Sequence, residues 1–548
     1  MTMQGKTVIE VGPWPGGVNR RDEDKSSRTV NPKQLRWSKN LDILDSGVVQ
    51  SRLGCRKVLS TAPIYGGTSI SLISSIVEGS GHLYAVVGKV TAGPVTAFYY
   101  TKDPENPATG WNAIATTQTG TFTDAIKYNN VIYFVQAAGG AGTGQSRTAL
   151  TGGGWTAQAN IPKGDQAFVV KDRMFVVDWN LSKVYWSKAT DPTIWAAPDG
   201  GNVLVSPGDG EPITKVVFIN NSIYIFKRNK TFLFTFNTDP AIDGQLTPLS
   251  TVRGAHDALV YNNEIYIVND QSIFKLVNNF FSDIGVLADF YKVVGPDQLF
   301  DPLCRLFLEG GDKLIVGPVN IVYSGQLFSH YAMNLKTGAW SFRFYNDSAI
   351  QPQSNLQKKC LVWRDSGAVA GNSLGNIYIS VAGSGLLSYT RFKSWNTADI
   401  LNNTLDINSN EHTISPEYSI VTHEIIPEDS YYEWKRCYFI MGTWYMNMDP
   451  LTDSAPLIDV RLGPDLYTLA QTVNLPLSSN FFAVEQEGKA PFKSFRFKSL
   501  AISIYKASQD LGTIAAKDPN SNSVMVIKNI QIVIGSNRQA VSEAVNAV

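Results

Sequence analysis

Residues 258–269 read ALVYNNEIYIVN, and the same twelve-residue unit stands in the same register at 125–136 (AIKYNNVIYFVQ), 167–178 (AFVVKDRMFVVD) and 216–227 (VVFINNSIYIFK). Each copy has four apolar-rich residues, a two-residue polar turn, and an apolar run with an aromatic at its third position. Asparagine and aspartate tolerate the positive φ that two-residue hairpin turns demand, so each unit predicts a β-hairpin. The aromatic positions Tyr133, Phe175, Tyr224 and Tyr266 are 42, 49 and 42 residues apart. That spacing matches the roughly 40 to 50 residues of one four-stranded propeller blade.

Weaker copies extend the series. Residues 76–86 place Tyr84 49 positions before Tyr133, and residues 306–316 place Ile315 49 positions after Tyr266. Residues 369–380 place Tyr378 63 positions further on, which implies an insertion before the last unit. The expectation is an all-β chain: a six- or seven-bladed β-propeller over residues 65–395, with Tyr84, Tyr133, Phe175, Tyr224, Tyr266 and Tyr378 as structural repeat aromatics. Trp111, Trp155, Trp195 and Trp340 fall between the hairpins, as expected of aromatics that open outer strands and pack on a neighbour.

Residues 1–60 read as an extended N-terminal arm. Pro13, Pro15, Gly16 and Gly17 disfavour regular structure there, and 41–58 reads as a hairpin around Asp45, Ser46 and Gly47. An arm carrying Trp14 and Trp37 needs a surface to bury them, and a ring of blades needs one end of the chain to complete its last blade. The sequence leaves open which end does so. From about residue 415 longer strands predict a C-terminal β-sandwich over 415–534, with alternation in SFRFKSLAISIY (494–505) indicating one wet face. Residues 535–548 read as a flexible tail or frayed helix.

Lys plus Arg and Asp plus Glu both number 47, so net charge gives no preference for nucleic acid, anionic membrane or acidic substrate. Four cysteines (Cys55, Cys304, Cys360, Cys437) lack paired or metal-type spacing, which suggests free thiols in a reducing compartment. No segment approaches the roughly 18 apolar residues that would span a bilayer, and the start lacks a secretory signal. The expectation is synthesis as a soluble cytoplasmic chain.

The chemistry-bearing residues are scattered. His82, His256, His330, His412 and His423 form no ligand cluster, and neither a nucleophile elbow nor a phosphate-binding loop is present. Catalytic, cofactor and metal residues are therefore expected to be none. The enzymatic alternative is a propeller glycosidase, which needs paired carboxylates. Asp209, Glu211, Asp257 and Asp270 lie near blade edges but read as solvated loop residues. Residues 187–195 (SKATDPTIW) and 334–340 (NLKTGAW) faintly approach a structural Asp-box turn.

Three stretches carry a resemblance. GGVN (16–19) followed by NLDILDSGVVQSRLG (40–54) forms the first; VYWSKATDPTIW (184–195) followed by GDGEPITKVVFINNSIYIFK (208–227) is the second; WKRCYFI (434–440) with FRFKSLAISIY (495–505) is the third. Together they resemble the tail nozzle or tail hub proteins of short-tailed bacteriophages, also named packaged-DNA stabilisation proteins. The resemblance implies a homo-oligomer, usually of six copies, in the virion tail below the portal and a head-to-tail adaptor. It further implies contact with tail fibre or tail tip proteins, and DNA passing through the lumen without sequence-specific binding. It carries no catalytic residues. A neutral composition suits a conduit, since each phosphate contact would slow sliding DNA. The alternative from another class is a propeller glycan-binding protein or glycosidase.

Overall fold

The computed structural model describes residues 6–19, 33–51, 118–140, 142–148, 154–285, 330–343 and 418–427 continuously, and elsewhere single strands between 56 and 536. It is all-β, and the described residues hold a single four-residue helix, Pro240–Asp243. Four-stranded antiparallel meanders dominate. The second is Phe122–Tyr128, Val131–Gln136, Gly144–Arg147 and Thr156–Gln158; the third Gln166–Val170, Arg173–Asp178, Lys183–Trp186 and Gly201–Leu204. The fourth is Ile213–Ile219, Ser222–Lys227, Thr231–Thr235 and Gln245–Ser250; the fifth Asp257–Tyr261, Glu264–Val268, Ile273–Val277 and Phe280–Asp283. Before them comes the first, Ile73–Gly79, His82–Val87, Phe98–Thr101 and Asn112–Ala113.

The turns obey the chemistry that named them. Asn129-Asn130, Lys171-Asp172, Asn220-Asn221 and Asn262-Asn263 all have positive φ, between 46° and 62°. A fifth such turn, Asn278-Asn279, joins the last two strands of the fifth sheet. The repeat aromatics share one register position: Tyr84 opposes Val77, Tyr133 opposes Ile126, Phe175 opposes Phe168, Tyr224 opposes Val217 and Tyr266 opposes Leu259. Tyr133, Phe175 and Tyr266 are buried between sheets and Tyr224 is half-buried. Burying an aromatic or branched side chain this way contributes about 1.5–3 kcal/mol each.

The last units depart from the expected text. The hairpin Arg305–Glu309 and Lys313–Gly317 continues through His330–Asn334 to Trp340–Arg343 as a sixth meander. In the seventh, Asn376–Val381, which carries Tyr378 opposite Leu361, pairs with Leu361–Trp363. Residues 369–375 of the expected unit lie outside the described residues. Gly385–Ser388 follows, and the fourth strand is Arg56–Lys57, so the N-terminal arm completes this sheet.

First strands lie side by side in chain order. Those of the first and second sheets touch, as do second and third, fourth and fifth, fifth and sixth, sixth and seventh, and seventh and first. The third and fourth share one core of Phe168, Val170, Ile213 and Val216.

The arm is an integral strand system. Leu35–Lys39 lies parallel to Trp340–Arg343 and antiparallel to Tyr418–Thr422, joining the sixth meander to Leu500–Lys506, Leu457–Leu462 and Leu469–Asn474 in one nine-stranded sheet. Gly17 makes the approach possible: its φ is +65°, and a Cβ there would meet the Trp340 amide at 2.5 Å. A second sheet contains Leu41–Ile43, Val49–Ser51, Met525–Ser536, Lys435–Met446 and Gln486–Ala490, with Lys6–Glu10 and Phe495–Phe497 attached. Gly535 and Ser536 thus end a strand, while 537–548 lie outside the described residues. Within the alternating run 494–505 two strands are described, and they belong to different sheets: Phe495–Phe497 joins one and Leu500–Lys506 the other. One hydrophobic cluster, with Trp14, Trp340, Tyr331, Ile420, Cys437, Ile502 and Ile532, spans arm, sixth meander and both C-terminal sheets. Trp37, half-buried, lies tilted against Phe342 at 4.7 Å, and Trp14 is wholly buried, so the arm's two tryptophans pack on this chain's own sheets.

Candidate functional site

The residue just before each twelve-residue unit is polar, and it ties its sheet to the next. Asp124 accepts the Ala167 amide at 2.8 Å, and the Gln166 carboxamide both donates to the Val216 carbonyl at 2.7 Å and accepts its amide at 3.2 Å. Lys215 pairs with Asp257 at 2.9 Å, and Asp257 in turn accepts the Leu306 amide at 3.0 Å. The series Asp124, Gln166, Lys215, Asp257 runs along the first strands of the second to fifth sheets and reaches the sixth through the Leu306 amide. Asp124 and Asp257 are buried, where a charge-assisted hydrogen bond contributes about 1.5–3 kcal/mol.

One residue earlier a second tie recurs. Thr123 donates to the carbonyl of Gly164, and Thr214 to that of Ala255, each in the segment leading into the next sheet. Both threonines sit where the register of the inner hairpin slips, between Phe122 and Asp124 and between Ile213 and Lys215. The slip turns the hydroxyl toward the neighbouring sheet.

At the edge of the fourth sheet, the Lys227 side chain is wholly buried and its ammonium donates to Asp209 at 2.8 Å and to the Ser206 carbonyl at 3.0 Å. Lys230 reaches the other oxygen of Asp209 at 3.0 Å. Burial alone would raise the Asp209 carboxyl, but the hydrogen bonds from Lys227 and Lys230 outweigh it and hold the group well below the usual carboxylate range. Glu211 binds Asn229. Asp209 and Asp257, expected as solvated loop carboxylates, are instead buried cross-links, and Asp270 is half-exposed. The difference is physical: their lysine partners lie 18 and 42 residues away, and no local spacing announces them.

Residues 187–195 do form a structural turn. Asp191 accepts both the amide and the hydroxyl of Thr193, which lower its pKa, and the Trp195 indole donates to the Pro192 carbonyl at 2.7 Å. Trp155 lies edge-on to Phe134 at 5.1 Å, while Trp340 is wholly buried and donates to Ile284; Trp111 lies outside the described residues. His256 and His423 are buried in separate parts of the chain; His82 and His330 lie in strands, and His412 is outside the described residues. Cys437 is buried, which pushes its thiol up to about 12; the other three cysteines lie outside the described residues. Among the described residues no group of His, Cys, Asp and Glu could hold a metal, and no helix is long and apolar enough to cross a membrane.

The third sheet is partly uncovered on the side facing the second. Its outer strands alternate: Val184, Trp186 and Val203 turn toward the fourth sheet, while Tyr185 and Asn202, opposite each other in register, turn the other way. The outermost strand of the second sheet, Thr156–Gln158, has only three residues and does not cover that face. The result is a groove of about 700 Å³ whose lining includes Tyr185, Asn202, Trp195, Asn160, Lys163 and Asp178.

No family model matches the chain, and no curated protein matches it in sequence. Solved structures similar to it include the extracellular domain of a hybrid two-component system from B. thetaiotaomicron, 11% identical with a TM-score of 0.38 over 64% of this chain and 41% of that one. The chain thus spans about two fifths of that protein's length. Apo AztD from Citrobacter koseri is 11% identical with a TM-score of 0.34, covering 56% of this chain and 79% of that one. Sqt1 from Saccharomyces cerevisiae is 9% identical with a TM-score of 0.33, covering 60% and 98%.

Proposed function

We propose that the seven meanders are the blades of a seven-bladed propeller, that the two C-terminal sheets pack as a sandwich, and that the chain is a structural component of a short-tailed bacteriophage tail. In this reading copies of the chain, six in the family it resembles, form a nozzle or hub ring below the portal and adaptor. Genomic DNA is retained and ejected through the lumen, and tail fibre or tip proteins attach to the ring.

The observation that carries the reading is the set of polar ties from Asp124 to Leu306, together with the arm strand Leu35–Lys39. Innermost strands tied to one another resist widening of the ring, and an arm hydrogen-bonded on both sides couples the sheets to the C-terminal region. A conduit for DNA under pressure needs that stiffness, whereas a hydrolase needs free carboxylates. The equal numbers of acidic and basic residues suit a lumen through which DNA slides.

The test is the mass of the purified chain in solution, alone and mixed with portal and adaptor proteins, by light scattering followed by electron microscopy. A ring with a central hole is the expected result. A monomer that never assembles with portal or adaptor would overturn the reading.

A further inference from the structure

We propose that the groove between the second and third sheets binds a neutral sugar, as a single pyranose or a short neutral glycan. This goes beyond the ring reading and does not depend on it.

The groove's chemistry selects the ligand class. Trp195 is pinned, because its indole donates to the Pro192 carbonyl and Gly200 packs against its backbone, where a Cβ would come within 2.5 Å. The half-buried ring of Trp195 offers apolar surface to the C–H face of a pyranose, while the Tyr185 ring already carries the Lys183 ammonium 4.8 Å from its centre and contributes its hydroxyl. The charged groups in the lining are already committed to backbone partners. Lys163 donates to the Gly140 carbonyl, and Asp178 accepts the Leu181 amide at 2.9 Å. By contrast, neither the Tyr185 hydroxyl nor the Asn202 carboxamide has a hydrogen-bond partner among the described residues, although the two stand opposite each other on adjacent strands. Together they present donors and acceptors that carry no charge.

An aromatic ring beside uncharged hydrogen-bonding groups matches a neutral polyol better than a cation or an aliphatic segment. The volume falls within the roughly 300–1,000 Å³ of small-molecule sites. Asn160 donates to the Thr193 carbonyl at 3.3 Å, a bond across the groove from the second sheet's connection to the third sheet's loop. That bond ties the two walls together.

The full-length chain would be screened against an array of neutral and acidic glycans and a set of proline-rich peptides, and the best neutral glycan then titrated by calorimetry. The expected result is neutral-glycan binding whose affinity is unchanged between about 0.05 and 0.5 M salt. Tyr185→Phe and Asn202→Ala, which leave the backbone and core untouched, should each weaken binding about 2- to 10-fold. Trp195→Ala should weaken it by about 30-fold or more. Val252→Thr, an exposed position in another connection, should bind as the parent does. The proposal is overturned by any of four outcomes: no neutral glycan bound at about 10 mM, salt-sensitive binding of acidic glycans alone, saturation by a proline-rich peptide instead, or unchanged affinity in both conservative variants.

Discussion

Replacing Asp209 by Asn should do more damage than replacing its buried partner Lys227 by Met, although the two form one ion pair. The Lys227 side chain has no exposed surface, and among the described residues its only other acceptor is the neutral Ser206 carbonyl at 3.0 Å. In Asp209→Asn the ammonium stays buried against an amide, and removing one member of a buried pair costs about 3–5 kcal/mol. In Lys227→Met the carboxylate keeps Lys230 at 3.0 Å and the Glu211 amide at 3.1 Å, so the expected cost is that of one charge-assisted hydrogen bond, about 1.5–3 kcal/mol. The double variant should be more stable than Asp209→Asn alone, because it removes the stranded charge.

Hydrogen exchange of the strands Ile213–Ile219 and Ser222–Lys227, followed by mass spectrometry, measures the local opening free energy without requiring the whole chain to unfold in one step. Equal costs for Lys227→Met and Asp209→Asn, or a cost below about 1 kcal/mol for Asp209→Asn, would refute a stranded ammonium. The pH dependence has a definite sign. The folded carboxyl lies below its ordinary value of 3.8, so its stabilisation is complete above that value and is lost as pH falls through the folded one. Asp209→Asn should remove that part of the acid sensitivity of the fourth sheet.

Trp340→Ala should cost about 3–5 kcal/mol, since its wholly buried ring joins the arm to the sixth meander; exchange protection should fall in Trp340–Arg343 and Tyr418–Thr422 together, and loss confined to one would contradict the shared core. Asn262→Val places a β-branched residue at φ 46° and should cost about 1–2 kcal/mol in thermal denaturation, whereas Asn262→Gly should be nearly neutral; equal effects would count against a turn set by backbone conformation. The Cys437 thiol, raised by burial to about 12, should stay unlabelled by maleimide at neutral pH until the chain unfolds, and peptide mapping of native protein labelled there would refute its burial.

The hairpins were legible because a two-residue turn restricts residue type and the strands on either side carry period-two patterning. Asn129-Asn130 and Asn262-Asn263 show both signals in twelve residues. The fifth turn, Asn278-Asn279, offered only the first, since Val277 and Phe280 beside it are exposed. The polar ties were invisible for another reason. Asp124, Gln166, Lys215 and Asp257 occupy one structural position with three chemistries, so no repeat of residue type marks it, yet each can bridge to the neighbouring strand. Tyr185 and Asn202 were likewise hidden, because which face of a strand lies uncovered depends on the length of a strand in the preceding sheet.

The arm shows why tertiary placement exceeds what periodicity can give. Leu35–Lys39 is five residues long, too short for its LRWSK alternation to assign it to a sheet, yet among the described strands it is the one that lies parallel to its partner. A parallel neighbour in an otherwise antiparallel system has to arrive from a distant part of the chain, since two-residue turns join only antiparallel strands. Its burial is also two-sided, with Leu35 and Ser38 wholly enclosed, so the alternation of the sequence there does not correspond to a wet and a dry face. The same logic extends to Arg56–Lys57, which completes the seventh sheet from about 300 residues away. The segments hardest to read locally are therefore those that join distant sheets, because their partners, and not their own pattern, determine where they lie.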